Sequence, residues 1–143
     1  MSQSWPTLNC PEQLGGTPDA PVLLGNRCRS CGEPYFPAAR GCTRCSSTDL
    51  EPFELGGAGT LWSWTVQMFP PKPPYDGIET PEDHTPFGIG YIEMPSGLKV
   101  ESRLVGAGEP RFSIGQPMKL VLQPYRRPGT VEAVYTFAFE VAA

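Results

Sequence analysis

Four cysteines constrain this chain more than any other feature. Cys28-Arg-Ser-Cys31 and Cys42-Thr-Arg-Cys45 are two Cys-x2-Cys pairs separated by ten residues. Each pair can set two thiolates on one tight turn. Two such turns facing each other offer four sulfurs in a tetrahedron, the arrangement Zn²⁺ prefers. Gly32 directly follows the first pair, where the turn around a metal needs a backbone conformation that glycine adopts at low cost. Two disulfides, or four unrelated buried thiols, are the competing readings, and paired Cys-x2-Cys at this separation favours zinc. Four sulfurs leave no open coordination position, so the ion is expected to fold the segment rather than to catalyse.

Such a staple answers a size problem. A module of about 30 residues buries too little apolar surface to fold alone, and structural zinc contributes on the order of 10 kcal/mol. The 143 residues include 16 Gly and 18 Pro, an excess of turn formers that disfavours a helical bundle and favours short strands joined by loops. From Thr60 onward the apolar period is two. Trp62, Trp64, Val66 and Met68 alternate with polar residues, and Phe87, Ile89 and Tyr91 alternate with Gly88 and Gly90. Both patterns predict half-buried strands. Pro95-Ser-Gly97 predicts a hairpin turn into a third strand, Leu98 to Leu104; Met118 to Leu122 and Val131 to Val141 complete five. Five antiparallel strands of this size most simply close into a barrel, which hides their edges. The expected fold is mainly β: an extended arm over residues 1–21, a rubredoxin-like zinc ribbon over 22–56, and an OB-type five-stranded barrel over 57–143. Gly56, Gly57 and Gly59 read as the hinge between the last two.

The net charge of −4 gives no global attraction for polyanions. Met1 to Gly16 carries no basic stretch followed by an apolar one, and no apolar run approaches membrane-spanning length. Thiols kept for metal, with Cys10 left over, point to a reducing cytoplasm. Arg27, Arg29, Arg40 and Arg44 crowd the ribbon. They either offset the negative charge of a tetrathiolate zinc site or hold a phosphate-bearing ligand through their guanidinium forks. Lys99 and Arg103 fall on one face of the third strand and Lys119 on the fourth, a candidate basic stripe. The loop 69–86 contains six prolines and is therefore stiff; it carries Phe69, Tyr75 and Ile78 as candidate partner contacts. His84, the only histidine, sits there beside Glu82 and Asp83 and reads as a surface residue. Trp62 and Trp64 read as core or interface residues in preference to base-stacking platforms. The acidic loop argues against nucleic acid, although a single-stranded nucleic-acid-binding module is the alternative function. No Ser-His-Asp set, phosphate loop or dinucleotide fingerprint occurs, and no residue is assigned a catalytic role.

A family resemblance follows from the order of these motifs. Cys-x2-Cys-Gly, Tyr-Phe-Pro at 35–37, the second Cys-x2-Cys and Gly-x-Gly-Thr at 57–60 come first. Pro-Phe-Gly-Ile-Gly-Tyr-Ile-Glu at 86–93, Gly-Leu-Lys-Val-Glu-Ser-Arg-Leu at 97–104 and Ile-Gly-Gln-Pro-Met-Lys-Leu at 114–120 follow. Together they resemble the family of zinc-ribbon plus OB-fold proteins associated with acyl-CoA metabolism. The resemblance implies Zn²⁺ on Cys28, Cys31, Cys42 and Cys45. It also implies a small accessory subunit in a hetero-oligomer, paired with a thiolase-fold or related acyl-CoA enzyme that supplies the catalytic residues. The proline-rich loop followed by Phe-Gly-Ile-Gly-Tyr most resembles subunits of thiolases of aromatic-compound degradation, such as benzoylsuccinyl-CoA thiolase. Members often open with a helical segment, where this chain has a Pro/Gly-rich arm. The CoA contacts expected on this basis are Arg27, Arg29, Arg40, Arg44, Lys99, Arg103 and Lys119.

Overall fold

A computed structural model describes residues 4–68, 86–105, 112–125 and 134–142. The chain is almost entirely β. Four short strands form the N-terminal module: β1 (Leu14–Thr17), β2 (Ala20–Cys28), β3 (Pro34–Tyr35) and β4 (Leu50–Gly56). β2 is its spine and pairs antiparallel with the other three. Alternation along β2 buries Pro21, Leu23, Gly25 and, at the strand end, Cys28, so the strand that packs the module also delivers the first metal thiol. No helix among the described residues is long and apolar enough to cross a membrane.

The second module is a closed barrel of β5 (Ala58–Gln67), β6 (Phe87–Glu93), β7 (Lys99–Val105), β8 (Pro117–Tyr125) and β9 (Val134–Val141), in the order β5-β6-β7-β9-β8. The sequence led us to expect five antiparallel strands, and one pairing differs. β7 and β9 run parallel, through Leu104 with Phe139 and Val105 with Glu140. Closure requires this: around a ring the number of direction changes is even, so five strands cannot all be antiparallel to their neighbours. The turn at Pro95-Ser-Gly97 is present, with the Gly97 N–H donating to the Met94 carbonyl at 2.8 Å.

Two further expectations are corrected. Of the extended arm expected over residues 1–21, the described residues 4–21 pack against the rest of the chain. The carbonyl of Thr7 and the N–H of Asn9 hydrogen-bond Tyr135 on β9, each at 2.8 Å, along a stretch of β9 that β7 does not reach. Pro11–Gln13 then forms a 3-10 turn, and β1 forms a hairpin with β2. Open strand edges attract partners, and the arm covers this one. Nor is Gly56–Gly59 a free hinge: the Gly57 carbonyl accepts the Leu120 N–H at 2.8 Å. Leu14, Leu23 and Leu55 of the first module join Leu61, Ile92, Met94, Val100, Leu104, Met118, Leu120 and Phe139 in one core. Phe36, just after β3, meets Phe137 of β9 edge-on, with ring centroids 5.7 Å apart.

The strand faces hold a third correction. The register of β5 against β6 shifts between Leu61 and Ser63, a bulge that breaks the alternation read from the sequence. Trp64 stays half-buried against the core beside Phe112, while Trp62 is 50% exposed. β6 is inverted. Gly88, Gly90 and Ile92 face the barrel interior, and Phe87, Ile89 and Tyr91 face outward. The glycines are needed inside: a Cβ on Gly90 would lie 2.6 Å from the Ser63 carbonyl oxygen and about 3 Å from Leu104 and Leu61 side chains. Phe69, Tyr75, Ile78 and His84, and Val131 and Ala133, for which the sequence sets expectations, lie outside the described residues.

Candidate functional site

The two Cys-x2-Cys pairs build nearly the same turn twice. In the first, the Gly32 N–H donates to the Cys28 carbonyl at 2.9 Å and the Cys28 N–H to the Glu33 carbonyl at 2.9 Å. In the second, the Ser46 N–H donates to the Cys42 carbonyl and the Cys42 N–H to the Ser47 carbonyl, each at 2.8 Å. The residue closing each turn is left-handed, Gly32 at φ 82° and Ser46 at φ 67°. Glycine carries no penalty there, while serine does.

These turns bring four sulfurs together. All four Sγ atoms lie within 4.8 Å of one another, with Cys28 and Cys45 3.5 Å apart and Cys31 and Cys42 3.5 Å apart. A Zn–S bond of about 2.3 Å makes the edge of a sulfur tetrahedron about 3.8 Å, whereas a disulfide holds its sulfurs at about 2.05 Å. The thiols are free, and both donor type and spacing fit a tetrathiolate ion. Cys28 and Cys42 are buried, Cys31 is half-buried and Cys45 is exposed, so the site lies against the module on one side and near solvent on the other. Cys10 is half-buried and is not among the clustered sulfurs.

The electrostatics of the four thiols show why a cation belongs there. Cys42 is drawn down to about 6, first by the Tyr35 hydroxyl and then by the N–H groups of Cys45 and Arg44, against desolvation. Cys28 is lowered mainly by the Cys31 N–H. Cys31 is pushed up to about 12: the Glu33 N–H favours its thiolate, but desolvation and the sulfurs of Cys42, Cys45 and Cys28 outweigh that. Cys45 is likewise raised, the Ser47 N–H being overcome by the Cys28 sulfur and desolvation. Crowded together without a positive ion, two of the thiols are lowered and the other two raised. A divalent ion removes the conflict.

Tyr35, read from the sequence only as part of the Tyr-Phe-Pro motif at 35–37, takes part in this site. Its hydroxyl donates to Cys42 Sγ at 3.2 Å and accepts the Thr43 N–H at 2.9 Å. A tyrosine seven residues before the second pair is the only signal the sequence offers. Hydrogen bonds to ligand atoms orient them and tune the metal.

The basic residues are largely engaged with other groups. Arg27 pairs with Glu51 at 3.2 Å and lies over the Phe53 ring. Arg29 reaches Asp49 at 3.3 Å and Glu51 at 3.5 Å, and Arg44 reaches Glu33 at 3.9 Å. Arg40 is exposed. On the barrel, Lys99 pairs with Glu93 at 3.6 Å and Lys119 with Glu140 at 3.5 Å, while Arg103 lies 3.5 Å over the Phe87 ring. The expected stripe is therefore interleaved with carboxylates and rings. One open groove of about 480 Å³ is lined by Ala58, Gly59, Thr60, Glu93, Met94, Pro95 and Gly97. Lys119 sits opposite Ala58 in the β5–β8 register, and Lys99 opposite Glu93 in the β6–β7 register.

Comparison with known proteins matches this architecture module by module. Residues 18–51 match the family model of the ChsH2 rubredoxin-like zinc ribbon domain, and residues 53–123 that of the ChsH2 C-terminal OB-fold domain. The chain belongs to this zinc-ribbon plus OB-fold family. Family membership and sulfur geometry together make the metal a structural zinc ion held by Cys28, Cys31, Cys42 and Cys45. The chain is similar to a DUF35 domain-containing scaffold protein of Methanocaldococcus jannaschii, 27% identical over 119 residues that cover 82% of this chain and 79% of the relative. It is also similar to the benzoylsuccinyl-CoA thiolase subunit BbsA of Thauera aromatica, 32% identical over 88 residues, or 62% of this chain and 55% of that subunit. Among solved structures, the Ltp2-ChsH2(DUF35) aldolase shares the fold, with a TM-score of 0.61, 24% identity, and coverage of 85% of this chain and 86% of the matched one.

Proposed function

We propose that this chain is a non-catalytic accessory subunit that docks on a thiolase-fold enzyme and helps form its acyl-CoA site. The observation that carries the reading is the similarity to a thiolase subunit of a chain whose metal centre, the one cluster found among the described residues, is closed. A site saturated by four thiolates offers no position for substrate, so the chemistry resides in the partner. The relatives described as scaffold proteins and the shared fold with a component of an aldolase complex support the same role.

The substrate class follows from that partner. An acyl-CoA thioester presents a long, partly apolar arm and an anionic end. The groove lined by Ala58, Glu93, Met94 and Pro95 has Lys119 as the register partner of Ala58 and Lys99 as that of Glu93, which brings two cations to the strands that form it. We assign Lys99 and Lys119 as the principal contacts to CoA phosphates. Arg103 and the ribbon residues Arg27, Arg29, Arg40 and Arg44 take supporting positions. A barrel wall over the acyl chain excludes water and so favours C–C bond cleavage or formation over thioester hydrolysis. Aromatic-compound or steroid degradation supplies substrates of this kind. A cytoplasmic setting keeps the thiols reduced.

Co-expression with the thiolase-fold subunit from the same genome tests the reading. The expected result is a stable hetero-oligomer that turns over acyl-CoA, while this chain alone shows no turnover. In the complex, Lys99→Glu with Lys119→Glu raises KM for acyl-CoA about tenfold or more. A chain that stays monomeric beside such an enzyme, or that turns over acyl-CoA alone, contradicts it.

A further inference from the structure

The outer face of β5 and β6 reverses the usual polarity of a barrel, beside a β7 whose charged residues face outward in the ordinary way. On most half-buried strands the large apolar residues face the core and small or polar ones face water. On β6 the glycines face inward, and Phe87, Ile89 and Tyr91 face outward. The neighbouring bulge on β5 turns Trp62 to the same side, where it is 50% exposed and meets Tyr91 edge-on at 6.2 Å, Tyr91 itself being 42% exposed. Two independent features, a bulge and a Gly-x-Gly alternation, thus present aromatic surface outside the fold. Bulges commonly re-aim a side chain, and contiguous exposed apolar surface of this sort marks an interaction site.

The charges around these rings say what fits. Lys99 Nζ lies 4.8 Å over the Trp62 ring and 3.6 Å from Glu93. The Arg103 guanidinium stacks on Phe87, and the Tyr91 hydroxyl donates to Glu101 at 3.4 Å. Two cations stand against two carboxylates, so the face is neutral on a chain whose net charge is −4. Its charges are satisfied by one another and by the rings. The matching protein surface over Trp62 and Tyr91 is therefore uncharged and apolar, not an acidic or basic patch, with Lys99 and Arg103 at its edge left to the proposed CoA contact.

We propose that this outer face, centred on Trp62 and Tyr91, is the surface that receives a neutral, apolar patch on the thiolase-fold partner. The inference rests on the accessory-subunit reading above and assigns the place where it docks. An aromatic centre with a polar rim is the anatomy of a protein–protein contact, and exposed Trp and Tyr are the side chains that most often dominate binding energy.

The test uses the full chain and the purified thiolase-fold subunit, with affinity measured calorimetrically. Trp62→Ala and Tyr91→Ala should each weaken binding by about thirtyfold. Val141→Ala, at a residue 37% exposed on β9, a strand that neighbours neither β5 nor β6, should leave it unchanged. Raising NaCl from about 50 to about 500 mM should change the wild-type affinity less than about threefold, because no net charge is paired across the contact. Unchanged melting temperatures of the variants establish that they fold. Wild-type binding unaffected by either substitution overturns this assignment and leaves the accessory-subunit reading standing; no wild-type binding overturns both. Steep salt dependence also overturns it. So does loss, in Trp62→Ala, of binding to labelled single-stranded DNA or of self-association by sedimentation, either of which assigns the face to another occupant.

Discussion

Around the metal, the side chains withdrawn from water are two cysteines, Cys28 and Cys42; in the barrel they are Leu61, Ile92, Met94, Met118 and Phe139. The ribbon is organised by a few directional sulfur bonds at its outer end, the barrel by non-directional apolar packing. They meet in a shared core through Leu14, Leu23 and Leu55, and again where Phe36 packs on Phe137. The ribbon should therefore depend on its ion and the barrel on its side-chain volume, with the joint transmitting part of each perturbation. A small module can replace missing core with metal; a larger one need not.

Metal removal attacks this contrast with the largest effect. Chelation, or Cys42→Ala, forfeits a binding contribution on the order of 10 kcal/mol. Amide exchange should show protection lost first around Cys28–Glu33, Cys42–Ser47 and β4, with β5, β6 and β8 retaining theirs longer. Simultaneous loss everywhere would show that the two modules do not differ as described. The converse perturbation is Phe139→Ala, at a residue with no exposed surface. It should destabilise the chain by about 3–5 kcal/mol in denaturant titrations while one zinc ion per chain is retained.

The next effect sharpens the ribbon side. Tyr35→Phe removes the hydroxyl that holds Cys42 down to about 6, and chelator competition should register a loss of metal affinity of about tenfold or more. The sign with pH is fixed. A thiol whose folded value lies below its ordinary one contributes stability above that ordinary value, and loses it as pH falls through about 6. Protons also compete with the ion for every thiolate. Zinc should be released on acidification, and at higher pH in Tyr35→Phe than in the wild type. The smallest effect compares the two turns. Gly32→Ala meets no neighbour within 4 Å, so its cost is conformational alone, about 1–2 kcal/mol. Ser46→Gly should be nearly neutral, since relief at φ 67° is offset by added unfolded-state freedom.

What the sequence made legible was local. The sulfur cluster depends on two spacings within 18 residues, and its geometry follows from turn chemistry. The barrel was legible as a count of period-two segments. The misreadings involve distant neighbours. Whether Trp62 faces in or out depends on its register with β6, and the bulge there leaves no mark in the alternation. Gly88 and Gly90 looked like the small face of a strand; that they are the inner face follows from Leu61 and Leu104 filling the space above them. The arm read as extended, with no docking site in view, because its partner, Tyr135, lies more than a hundred residues away. The arginines looked free because Glu51, Asp49 and Glu33 reach them only once the strands pair.

The most direct test is a metal analysis of the purified chain combined with X-ray absorption at the zinc edge. We predict one zinc ion per chain with four sulfur neighbours at about 2.3 Å. Absence of metal from a chain that is nonetheless folded, or a first shell containing nitrogen or oxygen, would contradict it.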